Sequence, residues 1–202
     1  MAKPKLRKKK KPLISKNALM GIFIVILMVG SGMGLMLGRN SPNEQGGNYN
    51  DHNFVKTQNG YATEYKGEMM EFRYLPDAVD NINVTGQTLE ILDNSRALYI
   101  TFNPDDENIQ NIEVARMQIE RQFQKLDKYV GTGIMKNSTA YKNYPGVTCA
   151  NASQQAPVML LKSAETTGIE REEGCITLKF SAPAELFMLK DRILYGMIGV
   201  IE

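Results

Sequence analysis

The sequence predicts an α+β domain carried outside a membrane by an N-terminal helix. Three observations predict it: an uncharged apolar run bracketed by basic residues, short strand-like runs mixed with two amphipathic helical patterns, and a charge that divides in two along the chain. The 202 residues include 24 Lys+Arg and 22 Asp+Glu, for a formal net charge of +2. Nine of the basic residues and no acidic one fall within residues 1–39, leaving 15 basic against all 22 acidic residues, a net of −7, in the remainder. A +9 leader thus precedes a −7 body. That body lacks the overall basic surface of a nucleic-acid binder, so no nucleic-acid partner is expected. At about 160 residues it is long enough to bury one core.

Residues 1–16 form the basic leader, with Lys3, Lys5, Arg7, Lys8, Lys9, Lys10, Lys11 and Lys16 holding the N-terminus in the cytoplasm. Residues 17–38 follow as 22 uncharged residues. About 20 residues of helix span the roughly 30 Å of bilayer hydrocarbon, so this run reads as a transmembrane helix and the bilayer as the first partner. A retained signal-anchor fits better than a cleaved signal peptide, because the run is long and has no A-x-A site. Either reading puts the acidic body on the extracytoplasmic side. Gly30, Gly34 and Gly38 recur every fourth residue and place three glycines on one helix face, a candidate seam for a homodimer. Residues 39–53, rich in Asn and Gly, read as a flexible tether that holds the only histidine, His52.

Residues 54–202 read as the extracytoplasmic domain. FVKT and YATEY flank the turn Gln58-Asn59-Gly60, and MMEFRYL follows as a further strand. Ile82-Asn83-Val84 reads as a weak strand, and TLEIL and RALYITF as two strands around the turn Asp93-Asn94-Ser95, with Leu98, Ile100 and Phe102 alternating on one face of the second. Over 103–129 the spacing predicts a helix. Asn103 stands as N-cap, Pro104 at the first position, Asp105, Asp106 and Glu107 at the positive end, and Ile109, Ile112, Ile119, Phe123 and Leu126 along one face. Glu113, Arg116, Glu120, Arg121 and Lys125 are left for solvent. PVMLLK, TGIER and CITLKF are three further strands. A last helix opens at Pro183 and runs to about Val200 with a broad apolar stripe, interrupted by Lys190, Asp191 and Arg192. The expected fold is therefore a mixed or antiparallel sheet with two main helices packed on it.

Cys149 and Cys175 are the only cysteines. On an oxidising exterior an even count invites a disulfide, worth roughly 3.5 kcal/mol through loop closure. Asn83, Asn137 and Asn151 each begin an N-x-S/T sequon and are candidate glycosylation sites. No catalytic constellation, phosphate loop or metal-ligand spacing is present in the sequence, so no catalytic residue, cofactor or metal is assigned. Asp105-Asp106-Glu107 reads as helix-dipole complementarity, and Glu170, Glu172 and Glu173 as a solvated turn.

Thr148-Cys149-Ala150-Asn151-Ala152, Ala156-Pro157-Val158-Met159, Glu173-Gly174-Cys175-Ile176, Asp191-Arg192-Ile193-Leu194-Tyr195 and Gly199-Val200-Ile201 together resemble a family of uncharacterised archaeal single-pass membrane proteins. The resemblance spans residues 54–202. It implies an extracytoplasmic α+β domain in an archaeal envelope, and brings no activity or site residue with it. The sequence thus leads to a membrane-anchored extracytoplasmic binding or assembly module, non-catalytic, with an unknown protein partner. The alternatives are a carboxylate-based surface hydrolase, whose two carboxylates would lie about 5–10 Å apart, and a pilin-like envelope subunit.

Overall fold

A computed structural model of the chain describes residues 45–201. The expected transmembrane segment 17–38, with Gly30, Gly34 and Gly38, lies outside the described residues. Among those described, no helix is long and apolar enough to cross a membrane. The domain is α+β, with three helices and two sheets.

The first sheet is an antiparallel meander of β1 (Gln45–Tyr49), β2 (His52–Thr57), β3 (Gly60–Tyr65) and β4 (Glu68–Phe72), in that order. Its first and last turns have two central residues of positive φ, Asn50 and Asp51 (43° and 66°) and Lys66 and Gly67 (51° and 84°). Such turns match the right-handed twist of a hairpin, and Asn, Asp and Gly tolerate them best. The meander corrects the expected tether: residues 45–53 form β1 and the start of β2, and His52 is a strand residue. β1 carries no apolar alternation because its ladder to β2 is made by backbone, so the sequence pattern is blind to it. Its turn is tied down by Asn50, whose Nδ2 donates to the Val200 carbonyl at 2.8 Å.

The second sheet has the order β6-β5-β7-β9-β8, built from β5 (Ala97–Phe102), β6 (Tyr129–Thr132), β7 (Val158–Ser163), β8 (Gly168–Glu172) and β9 (Cys175–Phe180). All pairs are parallel except β8 with β9. The helices are α1 (Gly86–Asn94), α2 (Ile109–Lys125) and α3 (Pro183–Met197). TLEIL, expected as a strand, lies in α1, where Thr85 caps the first turn by accepting from the Thr88 N–H at 3.3 Å. Ile82-Asn83-Val84 forms no strand. α2 begins at Ile109, six residues after the expected cap, because Asp106 turns back. Its Oδ1 accepts from the Asn108 N–H at 2.9 Å and from the Ser163 hydroxyl at 2.6 Å, fixing the loop to the end of β7.

A parallel sheet must be covered on both faces. Here the helices take one face, where Leu98, Ile100, Phe102, Met159, Leu161, Ile176 and Leu178 join the core. The other face carries buried Thr101, Val158, Leu160 and Cys175, and the loop between β6 and β7 lies over it. The Thr101 hydroxyl donates to the Val147 carbonyl at 2.6 Å. The disulfide Cys149–Cys175, with Cα atoms 5.2 Å apart, staples that loop to β9.

α3 lies between the second sheet and the meander, which explains why nine of its residues are buried, including Lys190, Asp191 and Arg192. The Tyr195 ring stacks on Phe72 of β4 at 4.2 Å and meets Phe54 of β2 edge-on at 5.8 Å. The Tyr195 hydroxyl donates to the Tyr74 carbonyl at 2.5 Å. Burial, then the Asp191 charge, pushes that hydroxyl's pKa far above the usual tyrosine range. Asp191 is fully buried. Its Oδ2 accepts the Arg73 and Tyr74 N–H groups at 2.8 and 2.9 Å, and its Oδ1 pairs with Lys190 Nζ at 2.5 Å. Burial raises the Asp191 pKa, and Lys190 and the two N–H groups oppose that rise. Arg192 Nε donates to the Ile82 carbonyl at 2.9 Å.

Candidate functional site

Where the end of β4 leaves the meander, three elements enclose a cavity of about 620 Å³, a volume in the range of small-molecule sites. The β2–β3 turn forms its rim through Thr57, Gln58 and Asn59, α2 forms one wall through Gln118, Arg121 and Gln122, and α3 supplies Lys190. Each is held in place by local chemistry. Gly60 has φ +147° and sits against the end of β4, so a Cβ there would lie 2.1 Å from the Phe72 carbonyl oxygen. No side chain fits, and the turn therefore closes directly over Arg73. On the outer edge of β4, Gln122 Oε1 accepts the Glu71 N–H at 3.2 Å and Lys125 Nζ donates to the Met69 carbonyl at 2.5 Å. These contacts satisfy an edge strand that would otherwise invite pairing.

Arg73 is fixed at both ends, its N–H on Asp191 and its guanidinium 3.6 Å from the Phe187 ring centre. Gln122 is 2% exposed and Lys190 3%. The ionisable side chains lining the cleft are Arg73, Arg121 and Lys190 against the single carboxylate of Glu71. The side chains of Arg121 and Gln118 make no hydrogen bond or ion pair among the described residues. The cleft thus offers guanidinium, ammonium and amide donors beside an apolar patch of Met69, Phe72 and Ala62.

The topology points elsewhere first. Parallel sheets bind ligands outside the carboxyl ends of their strands, where the chain order reverses, here between β5 and β7. In this protein that crevice is bridged by the Asp106–Ser163 hydrogen bonds, and the Asp105–Lys136 ion pair at 2.6 Å lies beside it. Asp105 and Asp106 of the acidic triplet expected at a helix start therefore serve loop closure.

The other sequence candidates are dispersed. Cys149 and Cys175 are bonded to each other. Asn83, Asn137 and Asn151 are all exposed, and Asn151 Oδ1 accepts the Thr148 N–H at 2.8 Å. Glu170 pairs with Lys179 at 2.5 Å, on the strand rather than in a turn. The His52 ring lies 6.2 Å from Tyr65. Among the described residues no group of three or more His, Cys, Asp or Glu is placed to hold a metal ion. Arg116, expected in solvent, is buried: Glu113 and Glu120 pair with it at 2.8 and 3.0 Å, and it donates to the Thr132 hydroxyl. None of the cleft residues was singled out by sequence as a site. The one available signal was a charged triplet inside an apolar helix. No protein-family profile, no curated protein and no solved structure matches the chain.

A second cavity of about 420 Å³ lies between α3 and β8 and includes Asn83, Thr167 and Glu185. Its Thr167 and Glu185 side chains are engaged with each other and with the start of α3. The Glu185 carboxylate accepts from the Thr167 and Ser181 hydroxyls and from the Ser181 and Ala182 N–H groups at the start of α3. Hydrogen bonds from Thr167, then Ser181, hold its pKa near 2, below the ordinary 4.5. A carboxyl lowered on folding stabilises the native state above its unfolded pKa and loses that contribution as pH falls through the folded value. Thermal unfolding of the wild type and of Glu185→Gln should accordingly differ most above pH 4.5 and converge as pH approaches 2. A gap in melting temperature that stays constant across this range would show that the charge contributes nothing.

Proposed function

We propose that this chain is a membrane-tethered binding module whose extracytoplasmic α+β domain takes a ligand in the cleft between the meander, α2 and α3. The observation that carries this reading is the cleft itself: hydrogen-bonding amides and fixed charges converge on one concave surface, two of them on buried side chains held by the core. The basic leader and the uncharged run of residues 17–38 support the tether and its orientation. The disulfide is of the kind that persists in an oxidising compartment. Pairing of anchors through Gly30, Gly34 and Gly38 would present two such domains side by side, which suits assembly with a protein partner.

Orientation is tested by cysteine labelling of the full chain in intact cells with a membrane-impermeant maleimide. Lys142→Cys, in an exposed loop, should label at once, and Lys3→Cys only after permeabilisation; the reverse pattern would place the domain in the cytoplasm. Binding is tested by ligand-observed NMR of the full chain in nanodiscs, using small polar compounds that include neutral and charged members. At least one compound should bind the wild type and be lost in Gln118→Trp, which fills the cleft. A library with no such compound would overturn the binding reading.

A further inference from the structure

The charge of the cleft runs against the charge of the domain that builds it. Residues 40–202 carry a net of −7, yet three cations and one carboxylate line this cavity. Placing Lys190 there is costly unless its ammonium is satisfied. An ammonium has three donors, and Asp191 Oδ1 is the only partner of Lys190 among the described residues. Gln122 shows the same incompleteness. Its Oε1 is engaged by the Glu71 N–H, while its amide nitrogen has no partner among the described residues although the side chain is buried. The Arg121 guanidinium, with no partner among the described residues, stands on the same face of α2 one turn from Gln118. Donor capacity on this one concave surface is therefore left that no acceptor among the described residues fills.

We infer that the cleft takes a compact organic anion, its carboxylate or phosphate held by Arg121 and Arg73 above Lys190, and its hydroxyl groups held by Gln118 and Gln122. This rests on the binding-module reading and specifies its ligand class. Arginine presents a planar fork that engages either head group in two parallel hydrogen bonds. Stacking on Phe187 pre-orients the Arg73 fork, which lowers the ordering cost of binding. Glu71 in the same cleft repels a second negative charge, so a single anionic head group with a hydroxylated body fits best.

The test is equilibrium dialysis of the full chain in nanodiscs with radiolabelled inorganic phosphate, glucuronate and glucose, the last a neutral counterpart of the second. Glucuronate or phosphate should bind, and glucose should bind at least about tenfold more weakly, the ratio expected from one charge-assisted hydrogen bond. Arg121 is exposed, so its replacement leaves the core untouched. Arg121→Gln should weaken the anion about tenfold, Arg121→Lys should restore part of that loss, and Gln118→Trp should abolish binding. The preferred anion identifies the head group. Equal binding of glucose and glucuronate, both lost in Gln118→Trp, would overturn the anion inference and leave the binding module standing. Anion binding that ignores Arg121→Gln and Gln118→Trp would overturn it as well, because the anion would then sit elsewhere. Failure of both anions to bind the wild type would also overturn it.

Discussion

Asp191 lies fully buried on α3, and its carboxylate ties that helix to the segment that follows β4. One oxygen takes the Arg73 and Tyr74 N–H groups, where the chain leaves the meander, and the other faces Lys190. A buried carboxylate is tolerated only when its lone pairs are filled and a cation lies close by. One oxygen meets its two donors, and the other its cation, only if β4 ends where it does and α3 is rotated as it is. The arrangement therefore sets the register between two layers that a purely apolar contact would leave free to slide. The Phe72–Tyr195 stack and the Tyr195 hydrogen bond to Tyr74 supply the area and direction that accompany it.

The cleft is a consequence of that geometry. Arg73 is held to Asp191 by its backbone, its guanidinium lies over Phe187, and the residue lines the gap beside α2. With Lys190 adjacent to Asp191 on α3, its ammonium reaches the same gap. The Gly60 turn closes the end of that gap because no side chain separates it from Phe72. Fold and candidate site thus share one set of contacts, and the cation excess is left on the side where the core stops.

Much of the domain was legible in sequence because it obeys simple periodicities. The alternation of Leu98, Ile100 and Phe102 and the unbroken apolar run of β7 mark buried strands, and the stripe of α3 marks a buried helix. The disulfide followed from an even cysteine count. Three features escaped for physical reasons. β1 is held by backbone pairing and carries no apolar signature. The strand-like composition of TLEIL was overridden by the Thr85 cap and by burial of Leu92. The Asn103 and Asp106 side chains accept the Asp105 and Asn108 N–H groups in competition with the helix, so the start of α2 moved to Ile109. The cleft was invisible because its walls come from residues far apart in sequence, and Arg121 reads as an ordinary solvent-facing position until β4 is packed beside it.

The Asp191 arrangement also makes the meander and the α/β layers one cooperative unit rather than two stacked pieces. Equilibrium urea unfolding of Asp191→Ala against wild type tests this most directly. The substitution strands Lys190 and two backbone N–H groups in the core, and should cost about 3–5 kcal/mol, with Asp191→Asn costing less because it keeps an acceptor for the Arg73 and Tyr74 N–H groups. A loss below about 1 kcal/mol for Asp191→Ala, the range of an ordinary surface ion pair, would contradict the claim that this buried carboxylate holds the layers together.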